Sequence, residues 1–134
     1  MSTTKIQNDN SGVESLSVTA QQLVANNKNR GSIENSDAHA RICGCCGDSM
    51  QIELLLSGDR IQDAVFDTDG CGASIACGSI ITQLAQGKTL AEAYLITPQE
   101  VITALGDLPQ DHLHCANLAV NTLQLAIKTY IDNK

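Results

Sequence analysis

The residues with the clearest chemistry are cysteines that lie among glycines. Three thiols and a carboxylate fall within Cys43-Gly-Cys-Cys46-Gly-Asp48, a further thiol lies in Gly70-Cys71-Gly72, and another follows a histidine in His114-Cys115. Thiolates bind zinc and iron–sulfur clusters, and they are also the species that attacks sulfur. We therefore predict one metal or iron–sulfur site, formed by Cys46, Asp48, Cys71 and Cys115, with His114 close by.

Three thiolates with a fourth oxygen or nitrogen ligand suit tetrahedral Zn²⁺ or the irons of a [2Fe–2S] cluster. The fourth ligand here would be a carboxylate or an imidazole, from Asp48 or His114, although Asp48 taken alone is better explained as a turn cap than as a ligand. Either group is a harder and weaker partner for a soft cluster than a fourth thiolate. The predicted ligand set therefore favours reversible binding of the metal or cluster over a permanently bound cofactor.

The elements around these thiols are expected to bring them together. Cys46 lies in a glycine-flanked loop before a strand, Cys71 between a strand and a helix, and Cys115 between a proline-containing loop and the last helix. The positive end of a helix dipole favours a thiolate, so we expect lowered thiol pKa values at Cys71 and Cys115. The glycines on both sides of Cys71 allow the backbone to approach a cluster closely.

Other cysteines and histidines have more than one interpretation. Cys77 falls on the apolar stripe of a predicted helix, where a buried thiol behaves as a small hydrophobic side chain. The roles of Cys43 and Cys45 remain open: the alternatives are extra ligands, sulfur relays, or thiols that take no part in the site. His39 and His112 are expected to be exposed loop residues.

Composition and charge narrow the function classes. The chain has 134 residues and a net charge of −7, with a pI near 4.6, so it lacks the clustered Lys and Arg that nucleic-acid binding needs. It has no run of about 18 apolar residues, and residues 1–17 have no apolar core of a secretory signal. We therefore expect a cytoplasmic protein without a membrane span, whose six cysteines are reduced thiols or metal ligands rather than disulfides.

The chain is expected to form one domain behind a short tail. Residues 1–16 are polar and are predicted to be disordered, and the domain is placed at residues 17–134. Apolar side chains favour a short helix over 18–26. The turn-forming residues that follow are expected to end this helix. Residues 32–42 are expected to form an irregular segment or a short edge strand.

Two strands follow, and a turn at residues 57–60 joins them into a predicted β-hairpin. The apolar residues that alternate on one face of the first strand are Met50, Ile52, Leu54 and Leu56. The second strand is predicted over 61–68. Three apolar residues in succession, at 64–66, indicate that it is covered on both faces.

Helices occupy the second half of the chain. The first is predicted over 73–86, with one apolar stripe and Gly87 after its end. Thr89 and Thr97 each have a glutamate three residues later, so each predicts a capping box at a helix start. A long amphipathic helix is predicted over 116–131. Strands followed by helices predict an α+β fold, with a small antiparallel sheet of about three strands packed against helices.

Four ordered motifs resemble those of the U-type iron–sulfur cluster assembly scaffolds, the IscU-like proteins, which are similar to the N-terminal domain of NifU. The motifs are Cys46-Gly-Asp48, Gly-Cys-Gly-Ala-Ser-Ile-Ala at 70–76, Gly-Lys-Thr-Leu-Ala-Glu-Ala at 87–93, and Leu108-Pro followed by His114-Cys115. Their order matches the family, and their spacing nearly does, over residues 18–131. The resemblance implies the family's α+β fold with a long C-terminal helix.

The resemblance also implies a function. The family receives sulfur from a cysteine desulfurase and iron from an iron donor, builds a transient [2Fe–2S] cluster and passes it to apo iron–sulfur proteins. It acts as a scaffold and carrier rather than as an enzyme. We expect a monomer or a weak dimer. The alternative is a persulfide carrier or a zinc-binding accessory protein that builds no cluster.

The family's ligands can be carried over by position. The cluster cysteines correspond to Cys46, Cys71 and Cys115, and the auxiliary or exchanging ligands correspond to Asp48 and His114. The resemblance implies that the same site takes Zn²⁺ or Fe²⁺, and that Cys115 accepts the incoming sulfur.

The chain departs from the family pattern at three places. The loop that a dedicated Hsp70-type chaperone reads in the family, Leu-Pro-Pro-Val-Lys, is Leu108-Pro-Gln-Asp-His112 here, which argues against release by that chaperone. Cys43, Cys45 and Cys77 are additional thiols. The N-terminal helix lacks the aromatic-rich start and the Asn-Pro-Arg turn of the family.

Overall fold

The computed structural model describes Gln22 and residues 29–43, 49–70, 72–106 and 113–133. Its elements are β1 (Ala38–Cys43), β2 (Ser49–Ser57), β3 (Arg60–Thr68), α1 (Gly72–Ala85), α2 (Leu90–Tyr94), α3 (Pro98–Leu105) and α4 (Leu113–Asp132). The tail predicted at 1–16 and, apart from Gln22, the helix predicted at 18–26 lie outside these ranges. Within them, no helix is long and apolar enough to cross a membrane.

The three strands form one antiparallel sheet in the order β1-β2-β3. Ile52 of β2 lies opposite Ala40 on one side and Phe66 on the other, and all three are buried. Alternation puts the polar side chains of β2 on the opposite face. α4 packs over β1 and β2, and α1 packs over β3. The predicted α+β fold is therefore confirmed, and β1 is the short edge strand.

The predicted hairpin between β2 and β3 is also confirmed. Ser57 pairs with Arg60, so the turn consists of Gly58 and Asp59. Gly58 has a φ of 66°, a left-handed conformation that glycine adopts without strain. The sharp reversal at this end of the sheet depends on that glycine.

A β-bulge interrupts the alternation of β3 near its start. The register shifts between Leu55 and Leu56. Across this shift Ile61 and Ala64 are both buried, although strict alternation would put them on opposite faces. Gln62 is exposed. The prediction that β3 is covered on both faces was wrong, because within 64–66 Ala64 and Phe66 are buried on one face, whereas Val65 on the opposite face is only half-buried.

α1 is more deeply buried than its predicted single stripe requires. Ser74, Ser79 and Thr82 are buried together with the apolar residues of the helix. The sheet, α3 and α4 all pack against it. The close approach to the sheet depends on Gly78, where an added Cβ would lie 2.4 Å from Cδ2 of Phe66.

Both predicted capping boxes are present at the starts of α2 and α3. The Thr89 hydroxyl accepts the backbone N–H of Glu92, whose side chain accepts the backbone N–H of Thr89, and Thr97 and Glu100 repeat the arrangement. Each box satisfies two backbone groups that a helix start leaves without partners.

The outer edge of β3 is covered by two segments of the chain. The Gly31 N–H donates to the Phe66 carbonyl at 2.9 Å, and the Phe66 N–H donates to the Asn29 carbonyl at 3.0 Å. At the other end, the Ile61 N–H donates to the Lys88 carbonyl at 2.8 Å. These bonds protect an edge that would otherwise be open to pairing with another chain.

Two local predictions need correction. The last helix begins at Leu113 rather than at residue 116, so His114 and Cys115 lie inside its first turn. His39 lies within β1 rather than in a loop, and it is exposed because alternation turns it away from the core. His112 lies outside the described residues.

Candidate metal centre

Of the five predicted ligand residues, the structure describes His114 and Cys115. Cys46, Asp48 and Cys71 lie outside the described ranges, so the convergence of the full set stays a prediction. Among the residues that are described, no group of three or more His, Cys, Asp or Glu side chains is arranged to hold a metal ion. What the structure describes at the predicted site is therefore Cys115 with His114, together with residues that lie next to the other predicted ligands in the sequence.

Cys115 is a buried thiol with polar neighbours. Its exposed fraction is 0%. Its Sγ lies 3.4 Å from the hydroxyl oxygen of Ser74 and 3.6 Å from Nε2 of His114. In each contact the sulfur can donate or accept. A hydrogen bond donated to the sulfur favours the thiolate, whereas burial favours the neutral thiol.

The first turns of two helices supply these three groups. His114 and Cys115 lie in the first turn of α4, and Ser74 lies in the first turn of α1. The backbone N–H groups of a first turn have no partners inside the helix, and the helix dipole is positive there. Cys115 therefore lies at a helix start, which is the position from which a lowered thiol pKa was predicted. The lowered pKa itself stays a prediction.

A group of hydrogen bonds, which we call the Ser49–Asp69 junction, joins the start of β2 to the end of β3. Ser49 donates to Oδ1 of Asp69 from its backbone N–H, at 2.7 Å, and from its hydroxyl, at 3.0 Å. In the sequence, Ser49 directly follows segment 44–48, and Asp69 lies two residues before Cys71. The junction thus ties together the described neighbours of two ligand-bearing segments.

Thr68 and Arg41 reinforce this junction. The Thr68 hydroxyl donates to the Ser49 carbonyl and accepts the Gly70 N–H at 3.1 Å. Arg41 donates to the Ser49 hydroxyl oxygen at 2.7 Å. Hydrogen bonds from the Ser49 backbone N–H and hydroxyl lower the pKa of Asp69, and the charge of Arg41 adds to this. Asp69 is therefore a carboxylate acceptor at neutral pH.

The additional thiols have contrasting surroundings. Cys43 is exposed at the end of β1, where it pairs with Ser49 across the sheet. Cys77 is buried within α1 and belongs to the hydrophobic core, which confirms the interpretation of its apolar stripe. Cys45 lies outside the described residues.

Sequence reasoning missed the roles of Ser49, Asp69 and Ser74. Asp69-Gly70 is a turn-forming pair at a strand end, and Ser74 follows a glycine-rich helix start. These signals identify a turn and a helix, but they do not show that position 49 contacts 69. Contacts between distant residues depend on how the elements pack.

Comparison with known proteins gives a consistent result. The family model described as NifU-like N terminal domain matches residues 17–134. Iron–sulfur cluster assembly scaffold protein IscU 1 of Archaeoglobus fulgidus is 43% identical over 106 residues, covering 78% of this chain and 69% of that relative. The IscU scaffold protein of Buchnera aphidicola is 35% identical over 114 residues, covering 81% and 88%.

Solved structures share the fold. The N-terminal part of a nitrogen-fixing NifU-like protein from Brucella abortus superposes with a TM-score of 0.68 at 14% identity, covering 88% of this chain and 95% of that one. A proposed scaffold protein for the SUF system from Fervidobacterium islandicum gives a TM-score of 0.67 at 22% identity, covering 83% and 95%. At these identities the likeness shows the fold alone.

Proposed function

Because the chain belongs to the NifU-like N-terminal domain family, we propose that it is a scaffold on which iron–sulfur clusters are assembled and from which they are transferred. Relatives from Archaeoglobus fulgidus and Buchnera aphidicola carry the name of such a scaffold. The structural observation that carries the proposal is the buried Cys115 thiol, which contacts Ser74 and His114 where two helices begin.

The cluster is bound as cargo, and its ligands are Cys46, Cys71 and Cys115, with Asp48 or His114 completing the set. The described neighbours support this grouping. The Ser49–Asp69 bonds join the neighbours of the first two cysteines, and Ser74 connects the helix after Cys71 to Cys115. Three thiolates and one harder ligand fit a [2Fe–2S] cluster, and they also fit Zn²⁺ or Fe²⁺.

Cys115 is the sulfur acceptor in this proposal, and a cysteine desulfurase is the donor. The Cys115 thiolate attacks the terminal sulfur of the donor's persulfide. The new S–S bond forms as the donor's S–S bond breaks, and the donor cysteine leaves as a thiolate. Because sulfur release from cysteine belongs to the desulfurase, the chain itself acts as a carrier and not as an enzyme.

The remaining partners are an iron donor and apo iron–sulfur proteins that take the finished cluster. The loop from Leu108 to His112 lies outside the described residues. Its sequence still predicts release without the Hsp70-type chaperone that reads a Leu-Pro-Pro-Val-Lys loop.

The test is anaerobic reconstitution of the protein with iron, cysteine, a thiol reductant and a catalytic amount of a cysteine desulfurase. The thiol reductant supplies the two electrons that convert each transferred persulfide sulfur into sulfide. We expect visible absorption, with iron and acid-labile sulfide bound in equal amounts. The absorption should decay when an apo-acceptor is added, while the acceptor gains the cluster. The measurements are metal and sulfide analysis and absorption spectra of the two separated proteins.

Two results would contradict the scaffold function. Mass spectrometry that finds an additional sulfur on Cys115, without a cluster although iron is present, would identify a persulfide carrier. Colourless protein with stoichiometric zinc, which unfolds when a chelator removes the metal, would identify a zinc-binding accessory protein.

A further inference from the structure

The Ser49–Asp69 junction joins the residue that follows one proposed ligand-bearing segment, 44–48, to a residue two positions before another proposed ligand, Cys71. We propose that Asp69 is a positioning residue, which fixes the spacing of these two segments through Ser49 so that their ligands fit one metal centre. The inference rests on the proposed function, since it concerns the same site.

The geometry makes this contact more restrictive than one hydrogen bond. Both donors of Ser49, the backbone N–H at 2.7 Å and the hydroxyl at 3.0 Å, converge on a single oxygen of Asp69. The first bond fixes the backbone of Ser49, and the second fixes its side-chain rotamer. Hydrogen bonds to an ionised carboxylate are shorter and stronger than neutral ones.

Further bonds hold Ser49 from its other sides. Its carbonyl accepts the hydroxyl of Thr68, and its hydroxyl oxygen accepts Arg41 at 2.7 Å. Ser49 is only 3% exposed, so few water molecules can replace these partners. A shift of Ser49 relative to the end of β3 therefore breaks several hydrogen bonds together.

Asp67 provides a matched comparison on the same strand. It lies two residues before Asp69, and its carboxylate pairs with Arg30 at 3.1 Å and accepts the Thr68 N–H. Its bonds tie β3 to the chain before β1 and not to Ser49. Removal of the Asp67 carboxylate thus changes charge and local bonding at nearly the same place without releasing the junction.

Groups that hold metal ligands in place contribute to affinity although they do not touch the metal. Loss of such an outer partner typically weakens metal binding by about 10–100-fold. If Asp69 sets the spacing of the ligand segments, its removal should have an effect of this size. A purely structural role would lower stability but leave the affinity of the folded protein unchanged.

The experiment is an anaerobic titration of the full-length, metal-free protein with Co²⁺ alone, whose d–d absorption reports on tetrahedral thiolate coordination. We expect Asp69→Ala to bind Co²⁺ about tenfold more weakly than the wild type. Asp69→Asn keeps an oxygen that accepts from Ser49, so its affinity and spectrum should stay within about threefold of the wild type. Asp67→Ala should also stay within this range.

Urea unfolding of each variant shows whether it is folded. Should Asp69→Ala not fold, Ser49→Ala replaces it, with Ser57→Ala at the other end of β2 as control. Ser49→Ala loses one of the two bonds, so its Co²⁺ affinity should fall below that of the control.

Wild-type affinity in folded Asp69→Ala, or in Ser49→Ala where that variant is needed, would overturn the inference. Equal weakening by Asp69→Asn and Asp69→Ala would also overturn it, because charge would then matter instead of the accepted bonds.

Failure of this inference differs from failure of the proposed function. A wild-type protein that binds Co²⁺ through thiolates but assembles no cluster would refute the scaffold while leaving the role of Asp69 intact. A wild-type protein that assembles clusters, with Asp69→Ala equal to it in Co²⁺ binding, would refute only the role of Asp69.

Discussion

Among the residues that the structure describes, two buried cysteines lie at different places in the fold. Cys77 and Cys115 both have an exposed fraction of 0%. Both also belong to the hydrophobic core, and Cys77 lies in the middle of α1 among its buried residues. Cys115 has the hydroxyl of Ser74 and the ring of His114 within 3.6 Å. Burial alone therefore does not mark Cys115 as the proposed ligand; its place beside Ser74 and His114, where two helices begin, does.

This difference predicts opposite results for two alanine variants. Cys115→Ala should abolish cluster assembly, because it removes a proposed ligand, whereas Cys77→Ala should assemble the cluster as the wild type does. Each removes one buried sulfur atom, so each should lower the free energy of unfolding by about 1–2 kcal/mol. Acid-labile sulfide after reconstitution and urea midpoints measure the two effects. A folded Cys77→Ala protein without sulfide would contradict the core role of Cys77.

At the scale of elements, the capping box at the start of α2 is a short-range device with a pH dependence. The Thr89 backbone N–H and then its side chain lower the pKa of Glu92, and the charges of Arg60 and Lys88 add to this. A carboxyl group with a lowered folded pKa stabilises the protein above its unfolded pKa, and the stabilisation is lost as the pH falls through the folded pKa. For Glu92 the unfolded pKa is near the ordinary glutamate value of 4.5.

We therefore predict that the Glu92 carboxyl titrates with a midpoint below 4.5 in the folded protein. NMR titration of its side-chain carbon measures this directly. Glu92→Gln keeps a capping side chain but no titrating group. The advantage of the wild type over this variant should therefore shrink as the solution is acidified below pH 4.5. A midpoint at or above that value would show that the capping box does not stabilise the carboxylate.

The elements that were predicted correctly are those whose signals are local. Thr89 with Glu92, Thr97 with Glu100 and the Gly58 turn each act within a few residues, so the sequence contains the whole cause. The bulge opposite Leu55 depends on how two strands pair, and the burial of α1 depends on three neighbouring elements. Those causes lie outside any local window of sequence.

The same distinction applies to the site. His114-Cys115 is a local motif, and the sequence alone is enough to predict it as part of the site. The Ser49–Asp69 bonds join residues 20 positions apart, and Ser74 and Cys115 are separated by 41. Such pairs become visible only once the strands and helices have been assembled.

At the scale of the whole molecule, the described contacts gather several element ends near the proposed site. β1 ends where β2 begins, the Ser49–Asp69 junction brings the end of β3 to this place, and α1 follows. The Ser74–Cys115 contact adds the start of α4. The β2–β3 turn lies at the other end of the hairpin, where Arg60 donates to the Gly87 carbonyl at 2.6 Å. The topology therefore concentrates the described neighbours of the ligand segments at one end of the sheet.

This arrangement requires α1 to lie close to the sheet, and Gly78 allows it. An alanine there would place its Cβ 2.4 Å from Cδ2 and 2.8 Å from Cγ of Phe66, so the helix or the ring must move. Overpacking of this kind costs about 1–3 kcal/mol, whereas the higher helix propensity of alanine returns only about 1 kcal/mol. We predict that Gly78→Ala lowers the free energy of unfolding by up to about 2 kcal/mol, measured by urea unfolding.

A double-mutant cycle tests whether contact with Phe66 is the cause. Phe66→Leu alone leaves space in the core and should be destabilising, but that space can accept the methyl group that Gly78→Ala adds when the two changes are combined. The combined loss should therefore be smaller than the sum of the single losses, by more than about 0.5 kcal/mol. Additive losses would show that the helix is not held at its distance from the sheet by this contact. A favourable coupling would show that the packing of one glycine against one ring sets the position of α1, and with it the approach of Ser74 to Cys115.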